Sequence, residues 1–271
     1  MPLVNIIFSL QYSFDNILLN LDGMEMISHF GRYYLLMIRV FARPERMRVF
    51  FRRLLDEIDN IGIGSLPIVA ILSVFLGAVM LIQAAYNFSS PWVPIYAEGV
   101  AARDSMILEF SPTIISLVLA GKVGSSIAGE LGTMKVTEQI DAMEIMGLNP
   151  KNYLILPKIV ASLFIFPFLI ILSIFLGIFG GYMASLLTES VTVEAYIYGI
   201  QYDFQPFYVT YALIKGEFFA FIIASIAAYQ GYSTKGGARE VGVSSTKAVV
   251  YSCIGILLFD VILTQLLLTT N

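Results

Sequence analysis

Four charged residues stand inside, or at the edges of, long apolar stretches of this 271-residue sequence: Glu109, Lys215, Glu217 and Asp260. A charge at the centre of a membrane-spanning helix costs about 2.5–3.5 kcal/mol on insertion scales, so such side chains usually pair and face the interior of a helix bundle. Lys215 and Asp260 are the expected ion pair, while Glu217 is expected to extend toward the surface. Glu109, Lys215 and Asp260 are candidates for a polar substrate path. An ion pair that only fixes packing, and a proton relay, remain open alternatives.

The sequence offers little else for chemistry. Cys253 is the one cysteine and His29 the one histidine, which argues against an internal disulfide, a metal site or a His-based catalytic group. We therefore predict no catalytic residues, no metal site and no cofactor bound by this chain.

Five uncharged or nearly uncharged stretches must position these side chains. The chain is 58% hydrophobic and 13% charged, whereas soluble domains carry about 25% charged residues. Stretches of about 20 apolar residues are long enough to cross a bilayer, and they cover residues 61–83, 110–128, 159–187, 209–229 and 249–268. We predict an all-α integral membrane protein with five transmembrane helices. The segments 84–99 and 230–248 are predicted to be loops, and 188–207 is predicted to be a polar, acidic connection.

Residues 1–58 differ from the rest of the chain. Seven arginines between Arg32 and Arg53 alternate with aromatic and aliphatic residues, a pattern typical of an amphipathic helix lying in the membrane interface. A solvated basic helix is the alternative. We predict an N-terminal segment over 1–58 and a single membrane domain over 59–271. The first basic residue is Arg32, so no cleaved signal peptide is expected.

The basic residues also indicate an orientation. The N-terminal arm has seven, the connection between the second and third spans has four, and the last connection has three, so 14 of the 16 share one side. Cytoplasmic loops carry this excess of Lys and Arg. The N-terminus is expected in the cytoplasm and the C-terminus on the opposite side.

Residues 130–150, "ELGTMKVTEQIDAMEIMGLNP", form a charged segment on that cytoplasmic side. Thr133 or Thr137 is expected to cap a helix that ends near Gly147 and Pro150. Its apolar residues recur at helical spacing: Val136, Ile140, Met143 and Met146. Its acidic residues lie on roughly the opposite face: Glu138, Asp141 and Glu144. A docking helix with an adaptable Met-rich face and an ordinary solvated hairpin are both compatible with this pattern.

The stretch "LAGKVGSSIAGELGTMKVTEQIDAMEIMGLNP" resembles the signature of the MlaE-type permeases, the YrbE family of ABC transporters that move phospholipid or other lipids between bacterial envelope membranes. The resemblance continues through "YLILPKIVASL", "GIFGGYMAS" and "IKGEFFAFIIASIAAYQGYSTKGGAREVGVSSTKAVV", and covers roughly residues 50–269. It implies a homodimer in the bacterial inner membrane, a cytoplasmic ATPase and usually a periplasmic MCE-domain protein. It also implies that residues 130–150 hold the coupling helix. From the two faces of this helix we predict ATPase contacts at its acidic and methionine residues: Glu138, Asp141, Met143, Glu144 and Met146.

The sequence contains no P-loop motif for binding ATP. The motif G-x-x-x-x-G-K-[ST] is absent, and "AGKVGSS" lacks the first glycine at the required offset. ATP and Mg²⁺ are therefore expected on a partner subunit, with this chain acting as a permease and not as an enzyme. A proton-coupled secondary transporter and a non-transporting scaffold are the rival functions.

Leu108 and Val243 replace residues that are usually basic in the family. The replacement at Leu108 leaves the partner of Glu109 open.

Three glycines of the third span, Gly177, Gly180 and Gly181, are expected to allow close helix packing. A kink at these positions is the alternative.

Overall fold

The computed structural model describes residues 31–41, 47–88, 92, 94–188 and 191–269. The chain separates into two units, Met1–Arg43 and Pro44–Asn271. In the first unit, helix α1 covers residues 31–40. Residues 1–30 and 42–46 of the predicted N-terminal segment lie outside the described residues, and the position of its amphipathic helix at the membrane surface stays a prediction. The division of the chain into the predicted segments 1–58 and 59–271 stays a prediction as well.

The described part of the second unit is helical and contains no strand. Five helices are long and apolar enough to cross a membrane: α2 (Met47–Asn87), α3 (Tyr96–Val136), α5 (Lys151–Leu187), α7 (Phe207–Tyr232) and α8, whose membrane-spanning part is Ala238–Leu268 and which ends at Thr269. Two short helices, α4 (Gln139–Ile145) and α6 (Val193–Gln201), join them. The predicted all-α fold with five spans is confirmed.

The helices extend beyond the apolar stretches, and the two predicted loops are partly helical. Helix α3 begins at Tyr96, inside the predicted loop 84–99, and α8 begins at Ala238, inside the predicted loop 230–248. The connection 188–207 contains α6. Hydropathy marks only the part of a helix that would lie in hydrocarbon. Charged and small polar residues extend a helix beyond that part, because outside the bilayer their side chains remain in water.

Helix α3 contains two wide π-helical turns, Met106–Ile114 and Ala120–Gly124. Pro112 lies inside the first turn. Proline cannot donate a backbone hydrogen bond and crowds the preceding turn, and a π-turn is one way in which a helix accommodates such a disruption. The two turns carry Glu109 and Lys122, two of the charged residues of this helix.

Helices α2 and α5 approach each other closely along a line of small residues. A Cβ atom on Gly77 would overlap the backbone oxygen of Gly177, and one on Gly180 would overlap that of Val74. Nearby, the Ser73 hydroxyl donates to the Ser173 hydroxyl at 2.8 Å. Small residues permit this approach of two backbones, so the predicted packing role of the glycines is confirmed.

Candidate functional site

The site is an ion cluster at Lys215, on α7. This lysine side chain is fully buried, and its Nζ lies 2.6 Å from Asp260 Oδ1 on α8. The same Nζ lies 3.0 Å from both carboxylate oxygens of Glu109 on α3. The predicted pair of Lys215 and Asp260 is present, and the third predicted residue, Glu109, joins it. Three helices are thus connected by one ammonium group.

Three neutral side chains complete the cluster, and none was predicted. Lys215 Nζ donates to the Tyr211 hydroxyl at 3.0 Å and to the Thr264 hydroxyl at 3.2 Å. The Thr113 hydroxyl donates to Asp260 Oδ1 at 2.9 Å. Each neutral partner lies four residues from a charged residue on its own helix. Because residues at this spacing are neighbours on a helix surface, a search of the i ± 4 positions would have found all three.

The exposure of the charged groups is graded. The side chain of Lys215 is 0% exposed, that of Asp260 18% and that of Glu109 42%. The ammonium is already surrounded by oxygen atoms, so it has no free face for an anion. The carboxylate of Glu109 is the group that opens outward. With both acids ionised the cluster carries one more negative than positive charge, and it offers a ligand a hydrogen-bond acceptor.

Two further sequence expectations are answered by the same geometry. Leu108, where the resemblance leads one to expect arginine, contributes only its backbone oxygen, 3.4 Å from Lys215 Nζ. The partner of Glu109 is therefore Lys215 in this chain. Glu217 is half-buried and makes no ion pair within 4 Å in the part of the chain that the structure describes.

The segment 130–150 folds as a turn followed by α4. The predicted capping by Thr133 or Thr137 is wrong, because their hydroxyls donate to the backbone oxygens of Gly129 and Thr133 within the end of α3. Helix α4 starts instead after Glu138, whose φ of 60° turns the chain.

The predicted end of this helix at Gly147 is confirmed. Gly147 has a φ of +80°, a conformation that glycine adopts without steric cost. Its N–H donates to the oxygen of Glu144 at 3.0 Å, and the N–H of Leu148 donates to that of Met143 at 3.1 Å. These two bonds form the Schellman arrangement that satisfies the last carbonyls of a helix.

The predicted acidic face of α4 is partly engaged by other residues of this chain. Asp141 pairs with Lys135 at 2.5 Å, and the Tyr232 hydroxyl donates to Glu144 at 3.1 Å, so both acidic groups contact this chain. The end of the helix is apolar and open, with Ile145 87% and Met146 68% exposed. The predicted roles of Glu138, Asp141, Met143, Glu144 and Met146 in binding an ATPase stay predictions.

Comparison with known proteins gives one family. Residues 54–266 match the family model described as Permease MlaE. The chain is 34% identical to a probable ABC transporter permease protein of Rickettsia bellii, over 89% of this chain and 92% of the relative. It is also 34% identical to a probable ABC transporter permease protein of Synechocystis, over 84% of this chain and 87% of the relative. It is 33% identical to the chloroplastic protein TRIGALACTOSYLDIACYLGLYCEROL 1 of Arabidopsis thaliana, over 84% of this chain and 65% of that protein.

Proposed function

The chain belongs to the MlaE permease family, and on that premise we propose that it is the membrane subunit of an ABC transporter for phospholipid or a related lipid. It moves lipid between the inner membrane and the periplasm or outer envelope. A separate cytoplasmic subunit binds ATP and Mg²⁺ and supplies the energy. The working assembly contains two copies of this chain and a periplasmic MCE-domain protein.

The names of the relatives support the assignment as an ABC transporter permease. Two of them are probable ABC transporter permeases of bacteria, and the Arabidopsis relative bears the name of a galactolipid. The five membrane-spanning helices agree with a permease.

The ion cluster is the observation that carries the proposal of a lipid substrate. It lies on three helices that are otherwise mostly apolar, and Glu109 opens outward from it. A lipid needs an apolar wall for its acyl chains and a few polar contacts for its headgroup. Glu109 supplies the outward polar group, while Lys215 and Asp260 hold its carboxylate in place.

The open end of α4 supports the proposed ATPase contact. Ile145 and Met146 present apolar surface, and methionine adapts its shape to a partner groove. Glu138 stands exposed at the start of the helix. In this arrangement Met143 and Met146 form the centre of the contact, and Glu138, Asp141 and Glu144 form its rim.

The experiment is a lipid transfer assay with donor and acceptor vesicles. The chain is reconstituted with its co-purified ATPase, and transfer of a labelled phospholipid is followed with ATP, without ATP, and with a pH gradient in place of ATP. We expect transfer only with ATP. Transfer driven by the pH gradient in the absence of ATP would favour a proton-coupled transporter, and absence of transfer under all three conditions would favour a scaffold.

A further inference from the structure

A second polar site lies away from the ion cluster, in a cavity of about 270 Å³ between α2, α3 and α5. Four charged residues line it: Glu57, Lys122, Glu130 and Lys158. The remaining lining residues are Asn60, Ile61, Val123, Ser126 and Ile127. Asn60 and Ser126 are exposed, so the cavity opens to the surface beside them.

Lys122 lines the cavity and has a single polar partner among the residues that the structure describes. Its Nζ donates to the hydroxyl of buried Ser65 at 3.1 Å. No carboxylate of the described residues lies within 4 Å of this nitrogen. Gly64 makes room for the ammonium, because a Cβ at that position would lie 2.9 Å from Lys122 Nζ. A cation is thus held at the cavity wall without a counter-charge.

The other charged lining residues have an excess of negative charge. Lys158 is 1% exposed, and its Nζ lies 2.5 Å from Glu57 and 2.7 Å from Glu130. Two carboxylates therefore share one ammonium. The side chain of Glu130 is 51% exposed, whereas that of Glu57 is 17% exposed, so Glu130 is the carboxylate that remains open to a ligand.

From this arrangement we propose that the cavity binds a zwitterionic headgroup that contains a phosphate and a primary ammonium. The phosphate lies against Lys122, and the ammonium lies against Glu130. The amide of Asn60 supplies hydrogen bonds at the mouth, beside the exposed Ser126. Ligand pockets usually measure about 300–1,000 Å³, so this cavity accommodates a headgroup and leaves the acyl chains outside.

The position of the cavity along α3 fits a lipid headgroup. Lys122 follows Glu109 by 13 residues, a distance of about 20 Å along a helix, in the direction of α4. Since the hydrocarbon core is about 30 Å thick, this step leads from the apolar interior toward the headgroup level on the side of α4. Basic pockets between membrane helices are known to bind phosphate headgroups, and Lys122 supplies the basic group in this cavity. The inference rests on the proposed function for its lipid substrate, and it assigns that lipid a second site.

The test places a thiol at the mouth of the cavity. In the full chain, Cys253→Ser removes the one cysteine, and Ser126→Cys introduces a new one. The rate of alkylation by N-ethylmaleimide is measured in detergent with dihexanoyl-phosphatidylethanolamine. At a lipid concentration about ten times its Kd, we expect alkylation to slow about tenfold. A matched variant with Ser233→Cys, exposed in the connection between α7 and α8, should react at an unchanged rate.

Charge variants identify the groups that bind. Lys122→Gln should abolish the protection, while Lys122→Arg should retain it and so control for folding. Glu130→Gln should remove the preference for phosphatidylethanolamine over phosphatidylglycerol. Lys235→Gln, an exposed lysine outside the cavity, should have no effect.

Three results would overturn the proposal. The first is absence of protection by the short-chain lipid, as expected if the four charges only join the helices. The second is full protection in the Lys122→Gln variant. The third is equal protection by free phosphoethanolamine or inorganic phosphate, which would identify a soluble ligand. The proposed function is tested separately, by ATP-dependent lipid transfer in vesicles that contain the chain and its ATPase. In all three cases that transfer would persist.

Discussion

At the scale of single residues, the cluster at Lys215 is defined by how many groups share one ammonium. Two carboxylates, two hydroxyls and a backbone oxygen lie within 3.4 Å of Lys215 Nζ. Removing one partner of a buried ion pair leaves an uncompensated charge, and this costs more than removing the whole pair. The charge balance of the cluster therefore decides how each variant behaves.

The first prediction concerns Lys215→Met, which should lower the free energy of unfolding by about 3–5 kcal/mol because two carboxylates then face each other. A triple variant with Lys215→Met, Glu109→Gln and Asp260→Asn should recover part of that loss. A double variant with Lys215→Met and Asp260→Asn, which keeps the Glu109 carboxylate, should recover less than the triple variant. Thermal denaturation of the purified protein in detergent measures these differences.

Glu217→Gln serves as the control for this series, because it lies two residues away on the same helix and outside the cluster. Its effect should stay within about 0.5 kcal/mol, as for most substitutions away from special features. Equal stability of Lys215→Met and wild type would contradict the structural importance of the ion pair.

The charged residues of the cluster could be predicted from the sequence, but their full geometry could not. A charge inside an apolar stretch is visible in one dimension, and its need for a partner follows from solvation. The choice of Glu109 as a second partner depends on how α3, α7 and α8 pack. Arg103 illustrates the same limit, since its buried guanidinium donates to the backbone oxygens of Ile200 and Tyr202 at 2.8 Å. Sequence spacing does not connect residues about a hundred positions apart.

At the scale of helices, the contact between α2 and α5 depends on the absence of side chains. At Gly77 the obstacle to a Cβ is the backbone of Gly177, which cannot rotate away as a side chain would. The two helices must separate if the position is filled.

The second prediction is that Gly77→Ala lowers the free energy of unfolding by about 1–3 kcal/mol, the usual range for overpacking. The intrinsic helix preference of alanine, about 1 kcal/mol relative to glycine, acts in the opposite direction. Unfolding of the detergent-purified variant, followed by circular dichroism, provides the measurement.

Gly242→Ala is the matched control. Gly242 also lies in a helix, but a Cβ there meets nothing within 4 Å. Alanine at this position should be neutral or slightly stabilising. Equal changes in stability for the two variants would show that glycine is not required at position 77 for the close contact of α2 and α5.

The number of spans could be read from the sequence, while their ends could not. Each span is an apolar run long enough for the bilayer, so its existence follows from composition alone. Helix ends depend on local hydrogen bonds. At Gly147 the sequence carries the stop signal itself, whereas at Thr133 and Thr137 the hydroxyls bond backward into α3 and give no cap.

At the scale of the whole membrane unit, α3 connects the three sites in order. Glu109 belongs to the ion cluster, Lys122 and Glu130 line the second cavity, and the chain then turns into α4. Val136 follows Glu109 by 27 residues, about 40 Å along the helix. A movement imposed on α4 would reach the proposed lipid sites through this helix, and its two π-turns lie at the charged positions.

The central claim is that ATP hydrolysis on a partner reaches this chain through α4 and moves lipid. The double variant Ile145→Asp and Met146→Asp should therefore abolish ATP-driven lipid transfer, because the apolar surface that is proposed to contact the ATPase becomes charged. The permease itself should stay folded, since both side chains are exposed in this chain. Leu187→Asp is the control, since Leu187 is 85% exposed at the opposite end of α5.

The decisive measurement follows ATP hydrolysis and phospholipid transfer simultaneously in vesicles that contain the permease and its ATPase. We predict that wild type and Leu187→Asp transfer lipid only while ATP is hydrolysed, and that the α4 double variant transfers none. Unchanged ATP-driven transfer in the α4 variant would contradict the account.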